Sequence, residues 1–448
     1  MELNAGAATR DISPPRGSTL YGYPHVPRHA TGTHDPLLAS VLVLDNGETV
    51  LALVALDLLF LAPPMARDLR RRVAAALGTP GENVLAGCTH THSGPVTAPL
   101  LAWRDDPAIP APDPGYLAGL CDTVCAAAAD AAARRVPAAL AWTAADATGV
   151  GGNRLEPGGL TDPECGILAV RDRTDSRLLA AALVYGMHPT VLHEDSTLVT
   201  ADFPHYARLC LRERFGEGTV VLYHNAPCGN QSPRHFVQAQ TFAEAERLGR
   251  KLGGAAVSAM DALADDSWQS TARLAGAIRA VDLPRRTLPS IRQAGERLRA
   301  ARRHFETLKQ RQAPVAETRT AECAVFGAEG ALTLARCAAE GEVGPLLDAC
   351  QPIEVQALRI GDTCLAGLPG ECFTEYALDL KERCVCRTFV VSFVNGELQG
   401  YVVTPEAAAR GGYEATNALF APQSGDVMVA ALAELAAELM NPDTNGRI

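Results

Sequence analysis

Short apolar runs separated by amphipathic segments recur along the chain. The first clear group is an apolar run at 48–60, a helical pattern at 65–78 and a second apolar run at 82–88. Strand, helix and strand in this order predict a βαβ unit, and the two strands of such a unit are parallel. We therefore expect part of the sheet to be parallel.

The same alternation continues toward the end of the chain. Further apolar runs predict strands at 138–144, 165–171, 177–187, 219–225, 354–360, 363–368 and 388–394. Helical patterns lie near 115–135, 203–214, 238–263, 372–383 and 427–440. Gly361 and Asp362 separate two apolar runs and predict a tight hairpin turn. The predicted fold class is α/β, with mixed β-sheets flanked by helices.

The length of 448 residues fits one large catalytic domain or two to three ordinary domains, and we interpret it as one domain that spans 1–448. A strongly basic segment with a helical pattern, 285–312, is predicted to belong to a helical insertion within 285–345. The main expectation for this segment is a solvated helix of an αα-hairpin. The alternatives are a lid over the site or an arm that joins two copies in a homo-oligomer.

Composition and charge restrict the classes of function. The chain is 47% hydrophobic and 20% charged and carries a net charge of -11, as expected for an acidic globular protein. Nucleic-acid binding is not expected, because contacts to phosphate require clustered Lys and Arg. The apolar runs fall short of the roughly 18 to 20 residues of a transmembrane helix, and we expect no stable membrane insertion.

Two further features bear on the compartment. The first fifteen residues contain neither the basic region nor the apolar region of a secretion signal. The thirteen cysteines are scattered without a repeated spacing, whereas a secreted disulfide framework is dense and even-numbered. We therefore expect reduced thiols and a cytoplasmic location.

Polar motifs directly follow five of the predicted strands. They are THTHSGP (89–95), HPT (188–190), GNQSPR (229–234), PGE (369–371) and NGELQGYVVTP (395–405). Ligands of open α/β sheets bind beyond the carboxyl ends of the strands, so these loops are expected to converge. Two imidazoles and a carboxylate are suitable ligands for zinc. The alternative for each histidine alone is a hydrogen bond within a turn or the core.

The ordered set of motifs resembles the neutral (non-lysosomal) ceramidase family. The matching motifs, in order, are ATRDISPP, GTHDPLLASVLVLD, THTHSGP, HPTVL, ADFPHYAR, GNQSP, GLPGE and GYVVTPEAAARGGYEA. The resemblance extends from about residue 5 to about residue 430. It implies a neutral-ceramidase-like catalytic domain that hydrolyses amide bonds with one bound zinc ion.

The resemblance also implies a set of site residues. The zinc ligands would be His90, His188, Glu371 and Tyr401. The catalytic residues would be Ser232 as nucleophile, His92 as acid/base, and Arg154 and Tyr413 as groups that orient the substrate or stabilise the oxyanion. Attack by Ser232 and attack by a water activated by zinc are both open at this point.

Two departures from the family bear on the substrate. The serine loop is GNQSPR, where ceramidases carry a loop similar to GDVSPN, and we expect neither the secretion signal nor the β-sandwich domain of the extracellular ceramidases. The expected substrate is therefore a soluble N-acyl amide rather than membrane ceramide. The alternatives are a metal-dependent esterase, lactonase or phosphoesterase, and a non-catalytic binding protein on the same scaffold.

Overall fold

The structure, a computed structural model, describes residues 2–441. The strands are β1 (Asn4–Asp11), β2 (Gly32–Thr33), β3 (Leu38–Asp45), β4 (Val50–Leu56), β5 (Val84–Cys88), β6 (Val136–Asp146), β7 (Gly152–Asn153), β8 (Glu164–Asp172), β9 (Leu178–Tyr185), β10 (Leu198–Val199), β11 (Val220–Asn225), β12 (Gln231–Ser232), β13 (Leu274–Val281), β14 (Ile353–Ile360), β15 (Thr363–Gly367), β16 (Glu371–Cys372), β17 (Arg387–Val391) and β18 (Tyr401–Val402). The helices are α1 (Pro63–Leu77), α2 (Pro114–Ala133), α3 (Phe203–Phe215), α4 (Phe242–Asp261), α5 (Ile291–Gln310), α6 (Val315–Ala339), α7 (Val343–Cys350), α8 (Thr374–Arg383), α9 (Pro405–Arg410), α10 (Tyr413–Thr416) and α11 (Ser424–Met440).

Two mixed sheets contain the longer strands. One has eight strands in the order β11-β9-β8-β6-β1-β3-β4-β5, and the other has four in the order β13-β14-β15-β17. The pairs β4–β5, β9–β11 and β15–β17 are parallel. The predicted α/β class and the βαβ unit β4-α1-β5 are confirmed. The predicted hairpin is confirmed as well, because β14 and β15 are antiparallel and Ile360 pairs with Thr363.

The strands of the large sheet are buried on both faces. Along β3, Val41 and Val43 pack into a cluster beneath α1 and α2, while Leu42 and Leu44 pack into a cluster shared by the two sheets. Helix α2 lies along β1 and β3, and α3 and α4 contact β11, β6 and β8. Helices α8 and α11 cover the four-stranded sheet. This burial on both faces explains the continuous apolar runs of the sequence.

Helix α2 is long and apolar enough to cross a membrane, judged by length and composition alone. The sequence analysis predicted a helix near 115–135 but did not count it as an apolar segment of this length, because much of its apolar character comes from alanine. The helix packs Leu120 and Val124 into the core under β1 and β3. Its two acidic residues form ion pairs on the other face, Asp122 with Arg72 and Asp130 with Arg10.

The basic segment 285–312 forms one helix of a hairpin. Helix α5 packs on α6, and its buried residues are Ala294, Leu298 and Leu308. This agrees with the expectation of a solvated helix in an αα-hairpin. The partner helix α6 also contacts α10 and the short turn Leu101–Trp103, and this places α6 beside the candidate site described below.

A buried ion pair connects β4 to α3. The carboxylate of Asp57 accepts hydrogen bonds of 2.6 and 2.7 Å from the guanidinium of Arg208 and one of 2.9 Å from the amide of Leu38. Both charged side chains are buried. Their attraction offsets the cost of removing two charges from water only while both are present. The pair fixes the chain directly after β4, and the amide of His90 donates to Leu58 in that segment.

Removing the carboxylate of this pair is expected to be strongly destabilising. Asp57→Ala should lower the free energy of unfolding by about 3–5 kcal/mol, because it leaves the charge of Arg208 buried without a partner. The matched control is Asp261→Ala, which removes the partner of Arg214 from an exposed pair and should cost at most about 1 kcal/mol. Guanidinium-induced unfolding followed by circular dichroism measures both. Equal losses in the two variants would contradict the role given to Asp57.

Candidate functional site

The loops that follow β5, β9, β11, β15 and β17 meet at one place in the fold. Two adjoining pockets lie there, and they share Gly22, His92, Tyr401 and Tyr413 in their walls. All eight residues predicted from the sequence line these pockets: His90, His92, Arg154, His188, Ser232, Glu371, Tyr401 and Tyr413. The strand-end loops therefore converge as expected, and the eight residues lie in the walls of these two pockets.

Three imidazole rings of the site are fixed through their Nδ1 atoms. The Nδ1 contacts to main-chain oxygens are His90 to Leu59 at 3.0 Å, His92 to Gly22 at 3.1 Å, and His188 to Cys228 at 2.8 Å and Gln231 at 2.9 Å. A carbonyl oxygen only accepts hydrogen bonds, so each Nδ1 carries the hydrogen and each Nε2 presents a lone pair. Metal-binding histidines are commonly oriented in this way.

The three Nε2 lone pairs are directed toward one another. The ligand atoms of His90, His92 and His188 lie within 4.8 Å of one another, and among residues 2–441 the Nε2 atoms of His90 and His92 have no hydrogen-bond partner. Burial and the Arg154 guanidinium lower the pKa of His188 to about 4. Burial and the two neighbouring imidazoles lower the pKa of His92 as well. Both rings are therefore neutral near pH 7 and able to donate a lone pair.

Glu371 completes this group. Its Oε1 lies 2.8 Å from Nε2 of His188 and 3.6 Å from Nε2 of His90. Two acceptors at 2.8 Å repel each other unless a proton or a cation lies between them. Ligands that are about 2.0–2.1 Å from one tetrahedral zinc lie about 3.3 Å apart, which is close to both observed separations. Nitrogen and carboxylate donors in this arrangement therefore fit zinc.

Two residues could supply the fourth ligand. The short parallel pair β16–β18 places Tyr401 directly opposite Glu371, in agreement with the ligand set that the resemblance implied. His92, which we expected to be an acid/base, also belongs to the compact group of imidazoles and is the second candidate. The hydroxyl of Tyr401 meanwhile accepts a hydrogen bond of 3.0 Å from Nη2 of Arg154.

Arg154 lies at the centre of a buried hydrogen-bond network. Its Nε donates to Glu414 Oε1 at 2.7 Å, its Nη2 to Tyr401, and its Nη1 lies 3.3 Å from Nε2 of His188. The residue follows β7, which pairs with β12 so that Gly152 faces Ser232. The side chain is buried, and Glu414 supplies its counter-charge. The sequence analysis did not identify Glu414, because a single acidic residue 260 positions away carries no local pattern.

Ser232 occupies the wall shared with His92 and His188. It is 5% exposed, and its Oγ accepts a hydrogen bond of 3.2 Å from the amide of Arg234. The serine thus caps the turn that follows it and also faces the pocket. The same loop provides the two carbonyl oxygens that hold His188, so the loop positions the hydroxyl and the imidazole together.

Tyr413 begins α10 and packs its ring edgewise on Tyr401, with centroids 5.7 Å apart at 70°. Burial and the Glu371 carboxylate raise the pKa of Tyr413. The phenol therefore keeps its hydrogen at neutral pH and can donate it in a hydrogen bond.

The backbone around the site adopts conformations that side chains rarely permit. His90 has φ of 67°, and Phe393, Asn395 and Gln399 in the loop after β17 have φ of 58°, 61° and 60°. The left-handed conformation is costly for residues other than glycine and persists where surrounding contacts enforce it. Phe393 stacks on the ring of His90, with centroids 4.1 Å apart, and this contact holds the imidazole in place.

The N-terminal segment contributes residues that the sequence analysis missed. The ring of Tyr23 lies 5.2 Å from that of His92, and its hydroxyl donates to Leu192. Arg28 is 1% exposed and donates to the carbonyl of His92 at 2.7 Å. These residues occur in YGYPHVPR, where prolines interrupt any periodic pattern. Their packing on a distant loop has no signature in the local sequence.

The two pockets differ in character. The first has an apolar wall made of Leu59, Phe60, Leu100, Ala102, Trp103 and Phe393. The second has a polar wall that includes Arg154, His193, Glu194, Arg234 and Arg319. Helix α6 supplies Arg319, Cys323 and Phe326 to this second wall. A substrate at the histidine cluster would therefore contact apolar surface on one side and charged groups on the other.

Neither a family model nor a curated protein sequence matches the chain. Solved structures do match it. Neutral ceramidase from Pseudomonas aeruginosa superposes with a TM-score of 0.74 at 19% identity, covering 98% of this chain and 75% of that one. A ceramidase solved in complex with C2 superposes with a TM-score of 0.73 at 16% identity over the same shares. At such identities the likeness concerns the fold, and the chain has the fold of the neutral ceramidases.

Proposed function

We propose that the protein is a zinc-dependent hydrolase that cleaves the amide bond of an N-acyl compound. The single observation that carries the proposal is the group formed by His90, His188 and Glu371, in which two acceptors face each other at 2.8 Å and a proton or a cation must lie between them. The group lies at the carboxyl ends of strands, between an apolar and a polar pocket. The fold shared with neutral ceramidases supports amide cleavage as the chemistry.

His90, His188, Glu371 and Tyr401 would hold the metal. Bound zinc would supply a Lewis acid that polarises the carbonyl of the substrate. The main-chain oxygens of Leu59, Cys228 and Gln231 hold the two imidazoles in the tautomer that this task requires.

The remaining residues would perform the proton transfers. Ser232 attacks the carbonyl carbon while a neutral imidazole, His92, accepts the hydroxyl proton and delivers it to the leaving nitrogen. A water molecule that gives its proton to the same imidazole then cleaves the acyl-serine ester, which releases the acid and restores the Ser232 hydroxyl. The Nε2 atom of His92 is buried and has no partner among the described residues, so it is available for both steps. Arg154 and the phenol of Tyr413 donate hydrogen bonds to the oxygen that gains negative charge.

The substrate is proposed to be soluble, and the enzyme cytoplasmic. All thirteen cysteines are free thiols in the structure, which supports a reducing compartment. The buried polar residues Glu397, Gln399 and Asn417 also line the apolar pocket. A long alkyl chain packed against these polar groups would gain less from burial than one in a wholly apolar channel.

The purified protein is expected to contain about one zinc ion per chain. His90→Ala and His188→Ala should each lose the metal and the activity, because each variant removes a nitrogen ligand. His304→Ala, on the exposed face of α5, is the matched control and should retain both. Elemental analysis by mass spectrometry measures the zinc content. Zinc content independent of both His90 and His188 would refute the metal site.

The fourth ligand is tested with the same measurement. Tyr401→Phe removes the phenolic oxygen, and His92→Ala removes the alternative nitrogen. We expect a lower zinc affinity in the first variant and a lower kcat with retained zinc in the second. The reverse pattern would assign the ligand to His92 and leave the enzyme without its proposed acid/base.

Ser232→Ala is expected to keep the metal and to lower kcat by about a hundredfold or more, since it removes the nucleophile alone. Ser258→Ala, an exposed helical serine whose hydroxyl bonds only within α4, serves as the control. Steady-state kinetics and zinc analysis on the same samples separate the two effects. Near wild-type turnover in Ser232→Ala would transfer the nucleophilic role to water.

A short N-acyl amine is expected to be a better substrate than detergent-solubilised ceramide. The value of kcat/KM should be at least about tenfold higher for the short amide, a difference of about 1.4 kcal/mol in transition-state binding. Matched esters and phosphoesters belong in the same panel. A tenfold advantage for ceramide would contradict the soluble substrate, and turnover of esters alone would make the enzyme an esterase.

A further inference from the structure

Among the residues that the structure describes, one cation of the polar pocket has no counter-charge. Arg234 lies two residues after Ser232, and its half-buried side chain lines the pocket next to the serine. Its Nη2 contacts the thiol of Cys323 on α6 at 3.6 Å. Within residues 2–441, no carboxylate lies within ion-pair distance of this guanidinium.

The two other arginines of this pocket are compensated. Arg154 pairs with Glu414 at 2.7 Å, and Arg319 pairs with Glu194 at 2.9 Å. Each of these two charges is neutralised by a carboxylate of the protein. Arg234 is therefore the arginine of this wall whose positive charge is left for a ligand to neutralise.

A guanidinium that is partly withdrawn from water without an anion is unfavourable. Its planar fork of donors is suited to a carboxylate, which it can bind through two parallel hydrogen bonds. Because Arg234 and Ser232 belong to one turn, an anion at the guanidinium lies within the length of a small molecule from the serine hydroxyl.

We propose that Arg234 binds a carboxylate of the substrate, so that the preferred amides of this site are N-acyl amino acids. The inference rests on the proposed function, and it names the substrate class of that site. The apolar wall with Leu59, Phe60 and Trp103 takes the uncharged part of such a molecule. The carboxylate lies on the opposite side of the histidine cluster, against α6.

N-acetylphenylalanine and N-acetylphenethylamine test this assignment, because they differ only in the carboxylate. The wild-type kcat/KM is expected to be at least about tenfold higher for the acid, because one hydrogen-bonded charge pair contributes binding free energy of that size. Arg234→Gln should abolish the preference, and Arg234→Lys should retain part of it. Arg250→Gln, on the exposed face of α4, is the control and should keep the wild-type ratio. Equal ratios in wild type and Arg234→Gln would overturn the inference.

A binding experiment separates this inference from the proposed hydrolysis. Calorimetric titration of the purified protein with N-acetylphenylalanine should give a Kd at least about tenfold higher for Arg234→Gln than for wild type or Arg250→Gln. Any contact of the carboxylate with a metal is common to all three proteins and cancels in the comparison. Binding that depends on Arg234 in a protein that hydrolyses no amide would refute the proposed function and uphold the carboxylate site. An unchanged Kd would refute the carboxylate site alone.

Discussion

The anchoring of three imidazoles through Nδ1 is the constraint on which the rest of the site depends. Because carbonyl oxygens can only accept, the fold determines the ring tautomer and directs three lone pairs inward before any ligand arrives. The anchoring oxygens belong to the N-terminal segment, the end of β4 and the loop after β11. Correct alignment of these distant elements, rather than any single loop, therefore creates the cluster and the opposed acceptors at Glu371.

The strand pattern predicted much of the fold, because strands buried on both faces leave long apolar runs. The runs at 82–88 and 219–225 correspond to β5 and β11 within two residues. Alanine-rich strands were harder, since alanine satisfies helical and strand periods alike, and β1 and β13 were not predicted. The two-residue strands β12, β16 and β18 leave no pattern at all, although they position Ser232, Glu371 and Tyr401.

The site was predictable to the extent that it follows strand ends. His90, His188 and Glu371 each follow an apolar run, and parallel strands bring their carboxyl ends to one edge. The walls were not predictable from residue patterns. Tyr23 and Arg28 contact His92 of the cluster, although they lie some seventy positions before it in the sequence. Such contacts depend on tertiary packing that the local sequence does not encode.

The two walls of the pocket have different origins in the chain. The histidine cluster and Ser232 lie at strand ends, whereas Arg319, Cys323 and Phe326 lie on one helix of a hairpin that packs beside the sheets. Substitutions on that hairpin change the side chains that line the polar pocket, and they leave the alignment of the strands undisturbed. The charged wall can therefore change in composition while the histidine cluster and Ser232 keep their positions. The hairpin is the natural unit to exchange between relatives when selectivity is to be redesigned.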